Sequence, residues 1–317
     1  MTPIPWHAFM AQIEELYQSP MRAPQTRKQL VAILRALEPL GVQTTADLTP
    51  ILIARYITAK SNEVCSRTVH SHLLRIQTAC NLAESMDALA VNPFKVRSMR
   101  QWIRPGRPMV KTYHTRSEIR AVLDLMANDA RERKGWAQWK ARRLLAMTTL
   151  FAFSGVRRNE GFFSWVEDLD LESRMFWVRP RLRLKTENSE APIPLPIAAI
   201  EPLRDFLAHR LDRPPGFVLP SEVPWLFPNM AGTHAWHGGR AEATPLGRLQ
   251  AVARRAGVED MTWQSLRRSL ATALEGFGLP QPLITRTLRH TSERITREWY
   301  QGRDLDALSQ AVERFDF

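Results

Sequence analysis

A stretch in the first half of the chain, residues 88–117, contains no acidic side chain. It does contain Pro93, Pro105, Gly106 and Pro108, and residues of these two types interrupt helices and strands. We therefore expect no continuous helix or strand through this stretch. The chain is predicted to fold as two globular units joined by a linker.

The length of the chain agrees with this division. It has 317 residues, and a domain takes about 150 residues. The predicted units are residues 1–103 and 115–317, with the linker at 104–114. Because 44% of the residues are apolar and 24% are charged, which is ordinary for a folded protein, the composition excludes global disorder and collagen-like structure.

The linker and the residues before it are basic, in a chain with a formal net charge of +12. Clustered arginine and lysine favour contacts with the phosphates of nucleic acid. A solvated linker that carries charge only for solubility would show the same pattern. We expect DNA contacts here, and the candidate DNA-binding residues are Lys95, Arg97, Arg100, Arg104, Arg107 and Lys111.

Several other classes of protein fit the sequence poorly. The longest apolar-rich run, Leu144–Val156, is too short to span a bilayer and predicts a buried helix. No basic segment followed by an apolar one opens the chain, so we expect no secretory signal. Cys65 and Cys80 are too few for a disulfide framework, and His234 and His237 lack the further ligands of a zinc site. A reduced, cytoplasmic setting is expected.

The first unit is predicted to be an all-α helical bundle. Apolar residues recur at helical spacing within 24–37, 51–57 and 66–83. The pair Thr49-Pro50 is typical of a helix start, with threonine as the cap and proline in the first turn.

The second unit is predicted to be mainly α with a small β-sheet, an α+β fold. Thr115 and Glu118 have the spacing of a capping box at the start of a helix. Strands are predicted at 175–178, 182–184 and 191–195, separated by turn-forming residues. Further helices are predicted at 141–153, 198–209, 245–256, 264–275, 281–289 and 304–314.

Three short motifs carry polar groups of chemical interest. S-G-V-R-R-N-E at 154–160 follows the apolar helix, Q-S-L-R-R-S at 264–269 begins another, and L-R-H at 288–290 precedes Tyr300 by ten residues. Each motif also has an ordinary explanation. The first is compatible with a simple helix end, and an arginine beside an apolar stripe, such as Arg267, often reaches out to water.

In this order, and with the lysine of R-L-K-T-E-N-S-E-A-P-I-P-L between two predicted strands, the motifs resemble those of the tyrosine recombinases, or phage integrases. That family usually shows T-G-x-R-x-x-E, a hairpin lysine, H-x-L-R, L-G-H and a late tyrosine. The resemblance covers nearly the whole chain. It implies a helical, SAM-like core-binding domain in the first unit and a catalytic domain in the second.

The resemblance implies a transesterification at a DNA phosphate that uses neither metal nor cofactor. Two guanidiniums supply fixed donors for the extra negative charge, and a covalent phosphoryl intermediate lets the strands rejoin without ATP. Lys185, the only lysine after Lys140, is the candidate general acid for the leaving 5′-oxygen. The catalytic residues implied by the motifs are Arg157, Lys185, Gln264, Arg267, His290 and Tyr300.

The sequence departs from the family pattern at two positions. Gln264 stands where H-x-L-R has histidine, and it can donate a hydrogen bond but cannot carry a proton. Arg289 replaces the glycine of L-G-H, which predicts ordinary helical geometry there and offers a further phosphate contact.

Three hypotheses follow for the function. The first is a site-specific recombinase acting through a 3′-phosphotyrosyl intermediate, associated with the nucleoid and forming a homo-tetramer on double-stranded DNA. The second is a catalytically weakened DNA-binding accessory or regulatory protein of the same fold, which Gln264 favours. The third is a type IB topoisomerase without partner exchange. Apolar residues at helical spacing in Leu305–Phe315 predict a final helix that packs on its own domain or on a neighbouring protomer.

Overall fold

A computed structural model gives the architecture of the protein. The chain divides into two compact units, Met1–Val110 and Lys111–Phe317. Most of the predicted linker, 104–114, lies outside the residues that the structure describes, so its limits stay a prediction. The described residues are 2–18, 24–96, 112–179, 191–212, 219–237 and 243–289.

The first unit contains four α-helices among its described residues. Three of them match the helical spacing of the sequence, whereas the first helix was not predicted. The predicted cap of the third helix is confirmed, because the Thr49 hydroxyl accepts a hydrogen bond from the Leu52 amide at 3.3 Å. The helices are α1 (Trp6–Leu16), α2 (Pro24–Arg35), α3 (Pro50–Ser61) and α4 (Ser66–Ser85).

An apolar core holds these helices together. One side of each helix is buried, and Phe9, Leu34, Ile53 and Ile76 are fully inaccessible to water. Burying one such side chain contributes about 1.5–3 kcal/mol to the free energy of unfolding. The first unit therefore has a core of its own.

The second unit is built around one long apolar helix. This helix starts at Gly135, earlier than the predicted residue 141, and packs against the helices Arg116–Glu132, Ile197–His209 and Trp263–Gly276. Like every other described helix, it lacks the run of apolar sequence that a membrane crossing requires. The helices of the unit are α5 (Arg116–Glu132), α6 (Gly135–Ser154), α7 (Arg158–Phe162), α8 (Ile197–His209), α9 (Pro245–Arg255), α10 (Trp263–Gly276) and α11 (Gln281–Thr287).

The predicted capping box begins the second unit. The Glu118 carboxylate accepts the Thr115 amide at 2.7 Å, and the Thr115 hydroxyl accepts the Glu118 amide at 3.2 Å. The backbone N–H groups of Thr115 and Glu118, which have no partner within the helix, are thus both hydrogen-bonded, and the prediction is confirmed.

The strands of a small antiparallel sheet lie side by side in the order in which they occur in the chain. β2 (Met175–Val178) matches its prediction, β3 (Ala191–Pro194) ends one residue early, and β1 (Leu169–Asp170) was not predicted. Residues 180–190, with the predicted strand at 182–184, lie outside the described residues. The register pairs Phe176 with Ile193, and both side chains are buried in the core.

Candidate active site

The turn after α6 places Arg157. Gly155 has a φ of 58°, in the left-handed region that favours glycine. A Cβ at this position would lie 2.8 Å from side-chain carbons of both Leu270 and Leu288. The backbone therefore favours glycine here, and a larger residue would require the side chains of Leu270 and Leu288 to shift. Two residues later, Arg157 is the N-cap of α7.

Glu160, in the first turn of α7, accepts hydrogen bonds from both the backbone and the side chain of Arg157. One carboxylate oxygen accepts the Arg157 amide at 2.8 Å, and the other accepts Nη1 of its guanidinium at 2.9 Å. The Glu160 side chain is only 5% exposed. Burial acts to raise the pKa of Glu160, but the charge of Arg289 and the hydrogen bonds and charge of Arg157 hold that pKa below its ordinary value.

Arg267 is buried, so the alternative that its side chain reaches out to water is wrong. Its Nη1 donates to the carbonyl oxygen of Gly155, and its Nη2 donates to that of Leu288. Burial lowers the pKa of Arg267 to about 9, and the charges of Arg289 and Arg157 act in the same direction. An anion beside this guanidinium would replace the solvation that it has lost.

The two candidate phosphate-binding arginines converge on one short segment. Arg157 Nη2 donates to the carbonyl oxygen of Arg289. Arg267 Nη2 donates to the carbonyl oxygen of the preceding residue, Leu288. Both guanidiniums therefore lie at consecutive peptide groups at the end of α11. His290 is the next residue in the sequence.

Arg289 departs from the prediction of ordinary helical geometry. Its φ is 53°, so its backbone adopts the left-handed conformation that glycine takes most readily. The side chain is buried, and its Nη2 donates to Glu160 Oε2 at 2.6 Å. This ion pair, formed with a residue 129 positions away, is the contact that a glycine could not make.

Gln264 lies exposed in the first turn of α10, on the helix that carries Arg267. A buried network that the sequence analysis missed holds the same helix. His114 Nε2 and the Ser265 hydroxyl are hydrogen-bonded at 2.9 Å, and the His114 amide donates to the Ser269 hydroxyl at 2.7 Å. No local pattern signals this network, because its partners are more than 150 positions apart in the sequence.

Of the remaining predicted site residues, the structure describes only Lys95. Lys185, His290 and Tyr300 lie outside the described residues, as do the linker candidates Arg97, Arg100, Arg104, Arg107 and Lys111. Lys95 is described: its side chain is 65% exposed and pairs with Glu84 at 2.6 Å.

The two loop histidines, which the sequence predicts not to form a zinc site, lie close together. The ring centroids of His234 and His237 are 5.5 Å apart. In the part of the chain that the structure describes, no group of three or more histidine, cysteine, aspartate or glutamate side chains is placed to hold a metal ion.

The buried carboxylate leads to a prediction on acid stability. The folded pKa of Glu160 lies below its ordinary value of 4.5, so the unfolded chain takes up the proton first as the pH falls. Glu160 therefore stabilises the fold above that range and stops doing so as the pH drops through the folded pKa. We expect Glu160→Gln to lower the free energy of unfolding at neutral pH by about 3–5 kcal/mol, as for a broken buried ion pair.

Urea unfolding between about pH 7 and about pH 3 measures this effect. The wild-type protein should lose more stability over that range than Glu160→Gln. Glu201→Gln is the matched control, since the Glu201 side chain is 79% exposed. Parallel pH profiles for the wild type and Glu160→Gln would contradict the expectation.

Comparisons with known proteins bear on both units. The phage integrase family model matches residues 115–305. No protein of curated function matches the chain. Among solved structures, the Tn1549 transposon integrase in complex with a circular intermediate DNA aligns with a TM-score of 0.69 at 16% identity, covering 98% of this chain and 99% of that one.

Two further structures have the same fold. The XerH site-specific recombinase bound to a palindromic difH substrate aligns with a TM-score of 0.66 at 14% identity, over 97% of this chain and 81% of its own. The lambda integrase dimer bound to a COC′ core site aligns with a TM-score of 0.60 at 14% identity, over 95% of this chain and 100% of its own. With the family match over more than half of its length, the chain belongs to the phage integrase family, the tyrosine recombinases.

Proposed function

We propose that the protein is a site-specific DNA recombinase that cleaves and rejoins DNA through a 3′-phosphotyrosyl intermediate. One observation carries the proposal: the guanidiniums of Arg157 and Arg267 meet at the consecutive carbonyls of Leu288 and Arg289. Two fixed, partly desolvated cations this close together favour the binding of a phosphate that gains negative charge during reaction.

The proposed reaction assigns one role to each residue of the motifs. The Tyr300 hydroxyl loses its proton to solvent, and its oxygen forms a bond to phosphorus while the bond to the 5′-oxygen breaks; Lys185 donates a proton to that leaving oxygen. Arg157 and Arg267 stabilise the charge on the non-bridging oxygens. In the second step, a 5′-hydroxyl attacks the phosphotyrosine and gives its proton to Lys185; the bond between phosphorus and the Tyr300 oxygen breaks, and Tyr300 regains a proton from solvent.

Gln264 and His290 complete the proposed phosphate site as hydrogen-bonding groups. Gln264 is exposed at the start of the arginine-bearing helix, where its amide can donate to a phosphate oxygen. His290 directly follows the two carbonyls that receive the guanidiniums, and it is proposed to bond a phosphate oxygen or to orient Tyr300.

Double-stranded DNA is the proposed substrate. The net charge of +12 favours it, and the similar Tn1549, XerH and lambda proteins were each solved on DNA. Recombination joins two duplexes, so we propose a homo-tetramer on paired sites and an association with the nucleoid.

A suicide-substrate assay tests the proposal. DNA segments that flank the gene supply the candidate recombination sites, each nicked so that cleavage releases a short strand and traps the covalent complex. We expect a denaturant-resistant protein–DNA adduct whose modified peptide contains Tyr300. Binding without any adduct, across all flanking segments, would contradict catalysis and favour the weakened accessory protein.

The glutamine distinguishes a working enzyme from this second candidate. Removing one proton-transfer group typically slows a reaction by about 10²–10⁴-fold. If Gln264 serves a working site, Gln264→His should change the adduct formation rate by less than about tenfold. A gain of about 10²-fold or more would identify a site weakened by loss of its histidine.

The basic residues in the linker and just before it should make DNA affinity depend on salt. Each phosphate contact contributes about −0.9 to the slope of log affinity against log salt concentration. The joint replacement of Arg97, Arg100 and Arg104 by glutamine should therefore flatten the slope by about 0.9 for every contact removed. Fluorescence anisotropy over a salt series measures the slope.

A control variant separates linker contacts from net charge. Arg131, Lys134 and Arg254 are exposed in the second unit, and their joint replacement by glutamine removes the same number of charges. We expect the linker variant to flatten the slope more than this control. An unchanged slope in the linker variant would mean that the linker does not follow the DNA backbone.

A further inference from the structure

The residue that replaces the family's glycine has an unusual environment. Arg289 has a φ of 53°, where glycine is favoured, yet its side chain is 3% exposed and ion-paired. Among the described residues, nothing accepts a hydrogen bond from its Nε, which is buried. The structure thus retains a large cation at a backbone position where a residue without a side chain fits more easily.

The contacts of Arg289 lead to the candidate phosphate site through one carboxylate. Glu160 Oε2 accepts Arg289 Nη2 at 2.6 Å and the Arg157 amide at 2.8 Å. Its Oε1 accepts Arg157 Nη1 at 2.9 Å. Glu160 is therefore shared between two guanidiniums, and only one of its oxygens binds the side chain of Arg157.

This sharing changes what Arg157 can offer to a phosphate. A carboxylate that faces one arginine alone tends to bind it through both oxygens, in the bidentate arrangement. That arrangement would turn two donors of Arg157 toward Glu160. Because Arg289 occupies Oε2, Arg157 donates to Glu160 only through Nη1. Its Nη2 donates instead to the carbonyl oxygen of Arg289, next to the Leu288 carbonyl that Arg267 binds.

The sharing also changes the charge of the cluster. Arg157, Arg267 and Arg289 together carry three positive charges against the single negative charge of Glu160. With glycine at position 289, the same cluster would carry one positive charge fewer. A phosphate in the transition state of a transesterification carries more negative charge than in the ground state, so the additional cation favours the transition state.

We propose that Arg289 is a positioning residue: by binding Glu160 it keeps Arg157 Nη2 out of a bidentate pair with that carboxylate and next to the segment bound by Arg267, where Arg157 can reach a phosphate. The inference rests on the proposed function for its role in cleavage. Its effect on phosphate binding can be measured whether or not the protein cleaves DNA.

The test compares the wild type with Arg289→Gly, Arg289→Gln and Arg289→Lys. Glycine suits the left-handed backbone, so this variant keeps the turn while removing the cation. Lysine keeps the charge and can restore one contact to Glu160. Arg254→Gln, at an exposed position of α9, is the control for the loss of one positive charge. Thermal unfolding confirms that each variant is folded at the assay temperature.

The first measurement is the affinity for inorganic phosphate, which is determined by ³¹P NMR titration. We expect Arg289→Gly and Arg289→Gln to weaken phosphate binding by about tenfold, Arg289→Lys to recover part of the loss, and Arg254→Gln to differ from wild type by less than about twofold. Unchanged phosphate affinity in Arg289→Gly and Arg289→Gln would overturn the proposal.

The second measurement is the rate of adduct formation on the suicide substrates at saturating DNA. Arg289→Gln should slow this rate by about tenfold while the DNA dissociation constant stays within about threefold of wild type. In a Glu160→Gln background, the same substitution should slow it clearly less than in the wild-type background, because the carboxylate through which Arg289 positions Arg157 is gone and only the direct effect of the lost charge remains. An equal loss in both backgrounds would overturn the positioning role. Absence of an adduct with the wild type would count against the proposed function alone, and phosphate binding would still decide the inference.

Discussion

Replacing Tyr300 by phenylalanine is expected to abolish the covalent protein–DNA adduct while leaving DNA binding intact. The substitution keeps the ring and removes only the hydroxyl that is proposed to attack phosphorus. Without a nucleophile the covalent route is lost, so the rate of adduct formation should fall by about 10⁴-fold or more. Denaturing electrophoresis of trapped complexes measures the adduct, and native gel shifts measure binding.

A second tyrosine provides the matched control for this experiment. Tyr113 lies just before the first helix of the second unit and is 56% exposed. Tyr113→Phe makes the same chemical change and should leave adduct formation unchanged. A trapped adduct in Tyr300→Phe, or its loss in Tyr113→Phe, would assign the nucleophile to another residue.

The second largest effect is expected from Arg267→Ala. Loss of a preorganised donor to the reacting phosphate should slow adduct formation by about 10²–10³-fold. The affinity for DNA should fall far less, since many other basic residues contribute to it. Single-turnover rates at saturating DNA separate the two quantities.

The buried position of Arg267 requires two further variants. Its guanidinium also satisfies the carbonyls of Gly155 and Leu288, so alanine removes structural hydrogen bonds together with the charge. Each carbonyl left without a donor costs about 1–3 kcal/mol. Arg267→Lys keeps the charge but cannot span both carbonyls, and Arg254→Ala controls for a lost surface cation. Equal losses in binding and cleavage would reduce Arg267 to an ordinary phosphate contact.

The sequence predicted best those features that depend on neighbouring residues. The cap of α3 by Thr49 and the capping box of Thr115 and Glu118 are set by contacts within one helical turn, and both are present. The apolar spacing of α10 likewise predicted a buried stripe, and Leu266, Leu270 and Leu274 are buried.

The errors concern side chains whose environment is made by distant segments. Arg289 adopts a left-handed backbone despite its side chain, and its ion pair joins it to a residue 129 positions away. Arg267 is buried because two helix ends supply carbonyl acceptors for it, one of them 112 positions away. No local spacing contains this information, so a surface-seeking arginine was the natural alternative for Arg267.

The hydrogen bonds of His114 have a mechanical consequence. Near the start of the second unit, the Thr112 carbonyl accepts Arg268 Nε at 2.7 Å, and two residues later His114 is bonded to Ser265 and Ser269. All three of these partners lie in the first two turns of α10, around Arg267. A pull on the chain ahead of Thr112 would therefore act on the arginine-bearing helix through these bonds before it reaches α5, which begins only at Arg116.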